Sequence, residues 1–244
     1  MDVEKRVSII KSWIVDYVNS MSKKASTLVV GVSGGIDSAV VSTISSMTGI
    51  KTIVLSMPIR QIKSQDDLSK LHCNWLEGKF KNTSYININL DDVFTNFENA
   101  LGSNDNEHAF ANSRARLRMT TLYQVAGSNN GIVVGTGNKV EDFGVGFYTK
   151  YGDGGVDISP IADCTKTQVW DMGKFLKIDQ KIIDAPPTDG LWTDGRNDED
   201  QLGMSYQDLE EAMINPDSKN FEKYKKIREN NLHKMKEIPV CKFN

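Results

Sequence analysis

The chain has 244 residues, of which 39% are hydrophobic and 25% charged, and its net charge is −3; this suits one large α/β domain or two small ones. No long basic run points to nucleic acid, and no apolar run of ~18 residues points to a membrane span or a leader peptide, so the chain reads as a cytoplasmic protein with neither nucleic-acid nor membrane partners. Cys73, Cys164 and Cys241 are far apart and form no CxxC pair, which argues against a zinc site or a disulfide framework.

In chain order, Val3, Val7, Ile10, Ile14, Tyr17, Val18 and Met21 share one face at helical spacing, predicting a helix over 3–21. Short apolar runs predict strands over 28–32, 52–57, 85–88 and 132–134, separated by helices over 37–47, 65–76 and 112–125. This alternation implies right-handed crossovers and a parallel sheet covered on both faces, an α/β fold of three layers with a Rossmann-like sheet. The stretch 135-GTGNKVEDFGVGFYTKYGDGGVD-157 holds seven glycines in 23 residues. It reads as a long ordered loop, because Phe143, Phe147, Tyr148 and Tyr151 argue against disorder. A helix over 166–176 follows, then a second loop over 185–203 around Trp192, then two charged helices over 206–236. No internal repeat or low-complexity tract is present.

The turn 33-SGGIDS-38 lies at the carboxyl end of the first strand, where open parallel sheets bind ligands. Gly34 and Gly35 permit positive φ and close backbone approach, and a helix N-terminus attracts phosphate. The turn is neither GxGxxG nor GxxxxGK[ST]. Where a Walker turn supplies a lysine, this one supplies Asp37. A phosphate beside a carboxylate requires a metal between them, and Mg²⁺ bridging the two is the usual solution. The residues therefore predict a nucleotide pyrophosphate, Mg²⁺ on Asp37, and cationic side chains from elsewhere in the chain. The alternative is a plain helix start with Ser and Asp as caps.

The pattern SGGxDS also resembles the pyrophosphate-loop ATPases, which cleave ATP to AMP and pyrophosphate while adenylating a carboxylate or carbonyl oxygen. Further stretches narrow the resemblance: 114-RARLRM-119, the glycine-rich 135–157 segment, 187-PTDGLW-192, 198-DEDQLGMSY-206 and 233-HK-234. Together, and in this order, they resemble the ammonia-dependent NAD synthetase family over nearly the whole chain. The resemblance implies the adenine-nucleotide alpha-hydrolase type of sheet. It also implies a ligase of NAD biosynthesis with ATP as co-substrate, which adenylates the nicotinate carboxylate of deamido-NAD and lets ammonia displace AMP.

The resemblance implies roles residue by residue. Gly31, Val32, Ser33, Gly34, Gly35, Ile36, Asp37 and Ser38, with Thr136, Lys166 and Thr188, would bind ATP. Asp37 and Glu141 would hold Mg²⁺. One extra residue lies between Glu141 and Gly146 relative to the more common pattern, so Asp142 competes for that role. Arg116, Lys150, Asp157, His233 and Lys234 would hold the dinucleotide, whose carboxylate and pyrophosphate call for such cations. Arg114, Arg116 and Arg118 cannot all share one helix face. Lys166 would stabilise the leaving pyrophosphate beside Asp37, and Asp153 or Asp157 would accept the proton lost by ammonia.

Glutamine users of the family carry a separate amidase domain. Residues 1–244 read as a single synthetase domain without one, so free ammonia is the expected donor. The family is homodimeric, and the first helix and the tail are the expected interface. The nearest competing function is amidation of nicotinate mononucleotide by the same chemistry, and a more distant one is tRNA modification.

Overall fold

The structure is a computed structural model that describes residues 1–188, 190–191 and 197–243. Four parallel strands form its sheet: β1 (Thr27–Gly31), β2 (Lys51–Ser56), β3 (Thr83–Asn87) and β4 (Gly131–Val133), in the spatial order β3-β2-β1-β4. β1, β2 and β4 centre on short, buried apolar runs, as befits strands covered on both faces, while the edge strand β3 is more polar and partly exposed. The pleat sends alternate residues of β1 to opposite layers: Leu28 and Val30 enter one core cluster and Val29 the other.

On the first side lie α1 (Val3–Ser20), α2 (Ile36–Met47), α3 (Lys63–Lys79) and α6 (Lys166–Phe175), with the short α7 (Gln180–Ile183). On the other lie α4 (Asp91–Leu101) and α5 (Glu107–Ser128). The chain runs outward through β1, β2 and β3, then returns to pair β4 on the free side of β1. This reversal opens a crevice between β1 and β4 at their carboxyl ends, the place where open sheets of this type bind ligands.

Besides the short α7 and α8 (Asp198–Leu202), two longer elements exceed the expectation from sequence. Helix α4 is one; its Phe94 is fully buried while Val93, Phe97 and Leu101 form an exposed apolar stripe at i, i+4 and i+8 spacing. The other is a π-helix at Lys139–Val145, inside the glycine-rich stretch read above as a loop. A π-helix accommodates one more residue than the corresponding α-helical turn. Gly146, in the left-handed conformation, closes the element by donating its N–H to Glu141 O, an i→i+5 bond. Val140 and Val145 of the π-helix pack with α8 (Asp198–Leu202), α9 (Tyr206–Ile214) and α10 (Phe221–Met235) into a third apolar cluster beside the sheet.

Helix α2 is buried despite five Ser and Thr residues. Three of these hydroxyls turn back onto the helix: Ser42 Oγ donates to Ser38 O at 2.6 Å, Thr43 Oγ1 to Ala39 O at 2.7 Å, and Ser46 Oγ to Ser42 O at 2.8 Å. His72 of α3 completes this interface, with Nε2 at 3.1 Å from both Ala39 O and Ser42 Oγ and its ring stacked on Trp75. Burial lowers the His72 pKa from 6.5 to about 4, against a smaller opposing effect of Ala39 O. Between those values the unfolded chain binds a proton that the folded chain refuses, so stability falls as pH drops through this window. The expected loss is about 3 kcal/mol from this group by pH 4. Urea unfolding at pH 7 and at pH 4.5 checks it: His72→Gln should flatten the pH dependence, and an unchanged slope would contradict the assignment.

Candidate active site

The site is assembled from the ends of β1 and β4. Beyond β1, residues 33–38 turn into α2 and fold on themselves: Ser38 Oγ accepts from the Ser33 N–H at 3.1 Å and donates to Gly35 O at 3.0 Å, and the Gly35 N–H donates to Ser33 Oγ at 3.2 Å. Gly34 has φ +95°, and a Cβ there would lie 2.6 Å from Gln65 O of α3. Only glycine fits. Gly34 therefore packs the turn against α3, while Gly31, Val32, Ser33, Gly35, Ile36, Asp37 and Ser38 line the adjoining cavity.

Asp37 lies in the first turn of α2, and Lys166 is the first residue of α6. Lys166 Nζ sits 2.5 Å from Asp37 Oδ2 and 2.9 Å from Glu141 Oε1 of the π-helix. The lysine is almost fully buried. Burial alone would lower its pKa, but the two carboxylates reverse this and raise it, so it stays charged. Burial pushes Asp37 up, Lys166 pulls it down and Glu141 pushes it up again, with a net rise. Burial also pushes Glu141 up, but Lys166 and the Tyr206 hydroxyl outweigh that and leave it lowered.

Two further side chains complete the cluster, and neither was singled out from the sequence. Asn138 Nδ2 donates to Asp37 Oδ1 at 3.1 Å, while its Oδ1 accepts from the N–H groups of Val140 and Glu141 and caps the π-helix. An Asn just ahead of a charged run is a cap signal that could have been read. Tyr206 donates its hydroxyl to Glu141 Oε1 at 2.5 Å. Burial first, then Glu141 and Asp198, raise its pKa, so it remains a donor.

One ammonium against two carboxylates leaves this cluster a net negative charge facing the cavity. Among the described residues no third acid, His or Cys joins them to form a metal cage. Two hard carboxylates open to phosphate oxygens and water are the donor set that suits Mg²⁺. Glu141, rather than Asp142, belongs to this group. Asp142 lines the same cavity but lies against Gly137, where a Cβ would collide with its carboxylate, and has no contact with Lys166 at salt-bridge distance. Burial, then Glu141, Asp153 and Asp37, raise the Asp142 pKa well above the ordinary carboxylate range, with Lys234 opposing.

Thr136, Asp153 and Thr188 line the same cavity as the 33–38 turn. Asp153 Oδ1 also accepts from the Thr149 N–H at 2.9 Å. A second cavity, polar and basic, is lined by Arg116, Lys150, His233 and Lys234 together with His108 and Asn112. Residues 147–153 form the wall between the two, since Phe147 and Asp153 line the first cavity and Tyr148 and Lys150 the second. Helical spacing separates the three arginines. Arg114 donates to Leu191 O, and Arg118 donates to Met57 O and Gln61 Oε1 beside the first cavity, whereas Arg116 faces the second. Asp157 lines neither cavity. It accepts from the Tyr123 hydroxyl at 3.0 Å and from the Val133 N–H at 2.7 Å, next to β4. Trp192 of the second predicted loop lies outside the described residues.

A parallel α/β sheet with an acid-bearing phosphate turn at its switch point defines a nucleotide-using protein of the pyrophosphate-loop kind. The comparisons with known proteins agree. Residues 6–242 match the family described as NAD synthase. The NH(3)-dependent NAD(+) synthetase of Carboxydothermus hydrogenoformans is 37% identical over 216 residues, covering 86% of this chain and 85% of that protein. Among solved structures, NMN synthetase from Francisella tularensis superposes with a TM-score of 0.89 at 30% identity, covering 100% of both chains. The NH3-dependent NAD synthetase from Campylobacter jejuni gives 0.79 at 25% identity, covering 99% of this chain and 100% of that one. The chain belongs to the NAD synthase family, which places it among the ligases.

Replacing Lys166 by Met should leave Asp37 and Glu141 as an uncompensated pair and cost about 3 kcal/mol of stability at neutral pH. Without the lysine, a carboxylate of the pair gains a folded-state pKa above its unfolded value, so the deficit should shrink as pH falls towards 5. Thermal denaturation of both proteins across that range measures it; a deficit independent of pH would contradict the charge argument.

Proposed function

We propose that the chain catalyses the ATP-dependent amidation of deamido-NAD to NAD by free ammonia, through an adenylated nicotinate carboxylate, with release of AMP and pyrophosphate. The observation that carries this reading is the meeting of Asp37, Glu141 and Lys166 at the mouth of the 33–38 turn, one thin wall away from the basic cavity of Arg116, Lys150, His233 and Lys234.

In this reading the ATP phosphates lie along residues 31–38, with Thr136 and Thr188 as further contacts. Mg²⁺ would be held by Asp37 and Glu141 and would neutralise phosphate charge there. Lys166, already fixed by two carboxylates, adds a positive charge at the position where pyrophosphate charge develops. Arg116, Lys150, His233 and Lys234 orient the anionic dinucleotide so that its carboxylate meets the α-phosphate. Asp153 lies in the first cavity and takes the proton from the attacking ammonia. Asp157, engaged by Tyr123 and Val133, acts on the substrate only by way of the strand end it braces, or across a subunit boundary. Free ammonia as donor is supported by relatives named for ammonia dependence whose own length this chain largely spans. We read residues 1–244 as one synthetase domain working in the cytoplasm as a homodimer. Exposed apolar stripes at i, i+4 and i+8 spacing on both α1 (Ile9, Trp13, Tyr17) and α4 (Val93, Phe97, Leu101) suit the dimer interface.

A second reading, amidation of nicotinate mononucleotide, is favoured by the full-length superposition on a structure named as an NMN synthetase. The chemistry is the same, and only the substrate beyond the first phosphate differs. Incubation with ATP, Mg²⁺ and ammonium, offering each nicotinate nucleotide separately, decides between them. Amide and AMP should form in equal amounts from deamido-NAD. Preference for the mononucleotide would establish the second reading, and amide from neither would sink both. Asp37→Asn should lower AMP formation at least about a hundredfold while the protein still folds; full activity would remove the metal from the mechanism.

A further inference from the structure

We infer that Tyr206 is a positioning residue for the divalent-cation site, its hydroxyl fixing Glu141 so that one carboxylate oxygen is occupied and the other is left to the cavity. The inference rests on the assignment of Glu141 to the metal made above.

The geometry is specific. Glu141 Oε1 accepts from Lys166 Nζ at 2.9 Å and from the Tyr206 hydroxyl at 2.5 Å. Both of these bonds fall on Oε1, the Asn138 side chain adds a weaker pull on the carboxylate, and Glu141 lines the cavity that carries the phosphate turn. The terminal torsion of a glutamate is soft and nearly two-fold. With Lys166 as the one strong donor, the carboxylate could rotate until both oxygens shared the ammonium. A second donor on the same oxygen removes that freedom and assigns the two oxygens different tasks.

Tyr206 is built to be rigid. It is fully buried, its ring edge meets Trp170 with centroids 5.8 Å apart, and Leu209 and Met204 belong to the same apolar cluster. It opens α9, where its N–H donates to Glu199 Oε1 at 2.9 Å. The ring also presents its face to Lys166 Nζ at 4.9 Å, a favourable contact for a desolvated cation. One side chain thus touches both the anion and the cation of the cluster, without lining the cavity itself. Asp37 is held differently: Asn138 Nδ2 donates to its Oδ1 while Lys166 takes its Oδ2. A buried phenol in an apolar cluster needs a partner for its hydroxyl; here the partner is a carboxylate of the site rather than a backbone carbonyl.

The test is manganese binding measured by electron paramagnetic resonance, with α,β-methylene-ATP bound so that no turnover occurs. Tyr206→Phe keeps the ring and removes only the hydroxyl. It should weaken Mn²⁺ binding about tenfold, the size expected for one charge-assisted hydrogen bond, and leave the KM for the nicotinate nucleotide unchanged. Glu141→Gln should weaken binding by itself, and adding Tyr206→Phe to it should cost nothing further. Wild-type Mn²⁺ affinity in Tyr206→Phe, or additive losses in the double variant, would overturn the inference. Wild-type affinity in Glu141→Gln would instead remove the metal reading, and this inference with it. Should Tyr206→Phe fail to fold, 3-fluorotyrosine at position 206 changes the donor strength without removing the hydroxyl; unaltered Mn²⁺ affinity in that protein would be equally fatal.

Discussion

The site depends on one buried cation. Lys166 has almost no contact with water, and in an apolar surrounding an ammonium is tolerated only when it is paired and fully hydrogen-bonded. Asp37 and Glu141 supply that pairing from two different elements, α2 and the π-helix, while Lys166 itself begins a third. Three helix starts are therefore locked together by charge. The arrangement also explains why the phosphate turn can carry an acid. Asp37 is not an isolated negative charge in an anion cradle; it is half of a carboxylate pair whose excess charge over Lys166 is what would draw in a divalent ion.

The π-helix follows from the same constraint. Glu141 must reach Lys166 while Val140 and Val145 stay in the apolar cluster with Tyr206 and Leu209. An α-helical turn with one residue more would rotate part of that set out of place. Widening the turn keeps Glu141 on the cation and Val140 and Val145 in the core, and directs Asp142 against Gly137. The third cluster is thus more than an appendage to the sheet. Through Tyr206 and the π-helix it sets where the carboxylate of Glu141 points.

Much of the fold was legible from periodicity. The four strands and most of the helices over them follow from short apolar runs and helical spacing, because the sheet buries both faces and leaves continuous apolar stretches in the chain. Helix α4 is also written in Val93, Phe94, Phe97 and Leu101, a helical pattern that was passed over. The π-helix was not legible, because seven glycines dominate the local composition and no propensity scale encodes an i→i+5 turn. Within the site, Asp37 could be read from physics alone, as an acid where a phosphate should lie. Glu141 was recoverable only by resemblance, and what sets it apart from Asp142 is its contact with Lys166, a pairing 25 residues apart in sequence. Asn138 and Tyr206 escaped notice because their contacts join residues 101 and 65 positions apart in sequence, and nothing local announces such pairs.

The separation of the two cavities has a chemical logic. Adenylation brings two anions together, so their charges need different neutralising groups that do not compete. The first cavity offers a lysine already committed to two carboxylates, and so a net negative lining suited to a metal–phosphate complex. The second offers Arg116, Lys150 and Lys234, each hydrogen-bonded to a backbone carbonyl: Arg116 donates to Lys150 O, Lys150 to His233 O, and Lys234 to Tyr148 O at 2.8 Å. Carbonyls orient these cations without cancelling them. Their positive charge stays at the second cavity, and Lys234 also feels Asp142 and Asp153 of the first across the shared wall of residues 147–153.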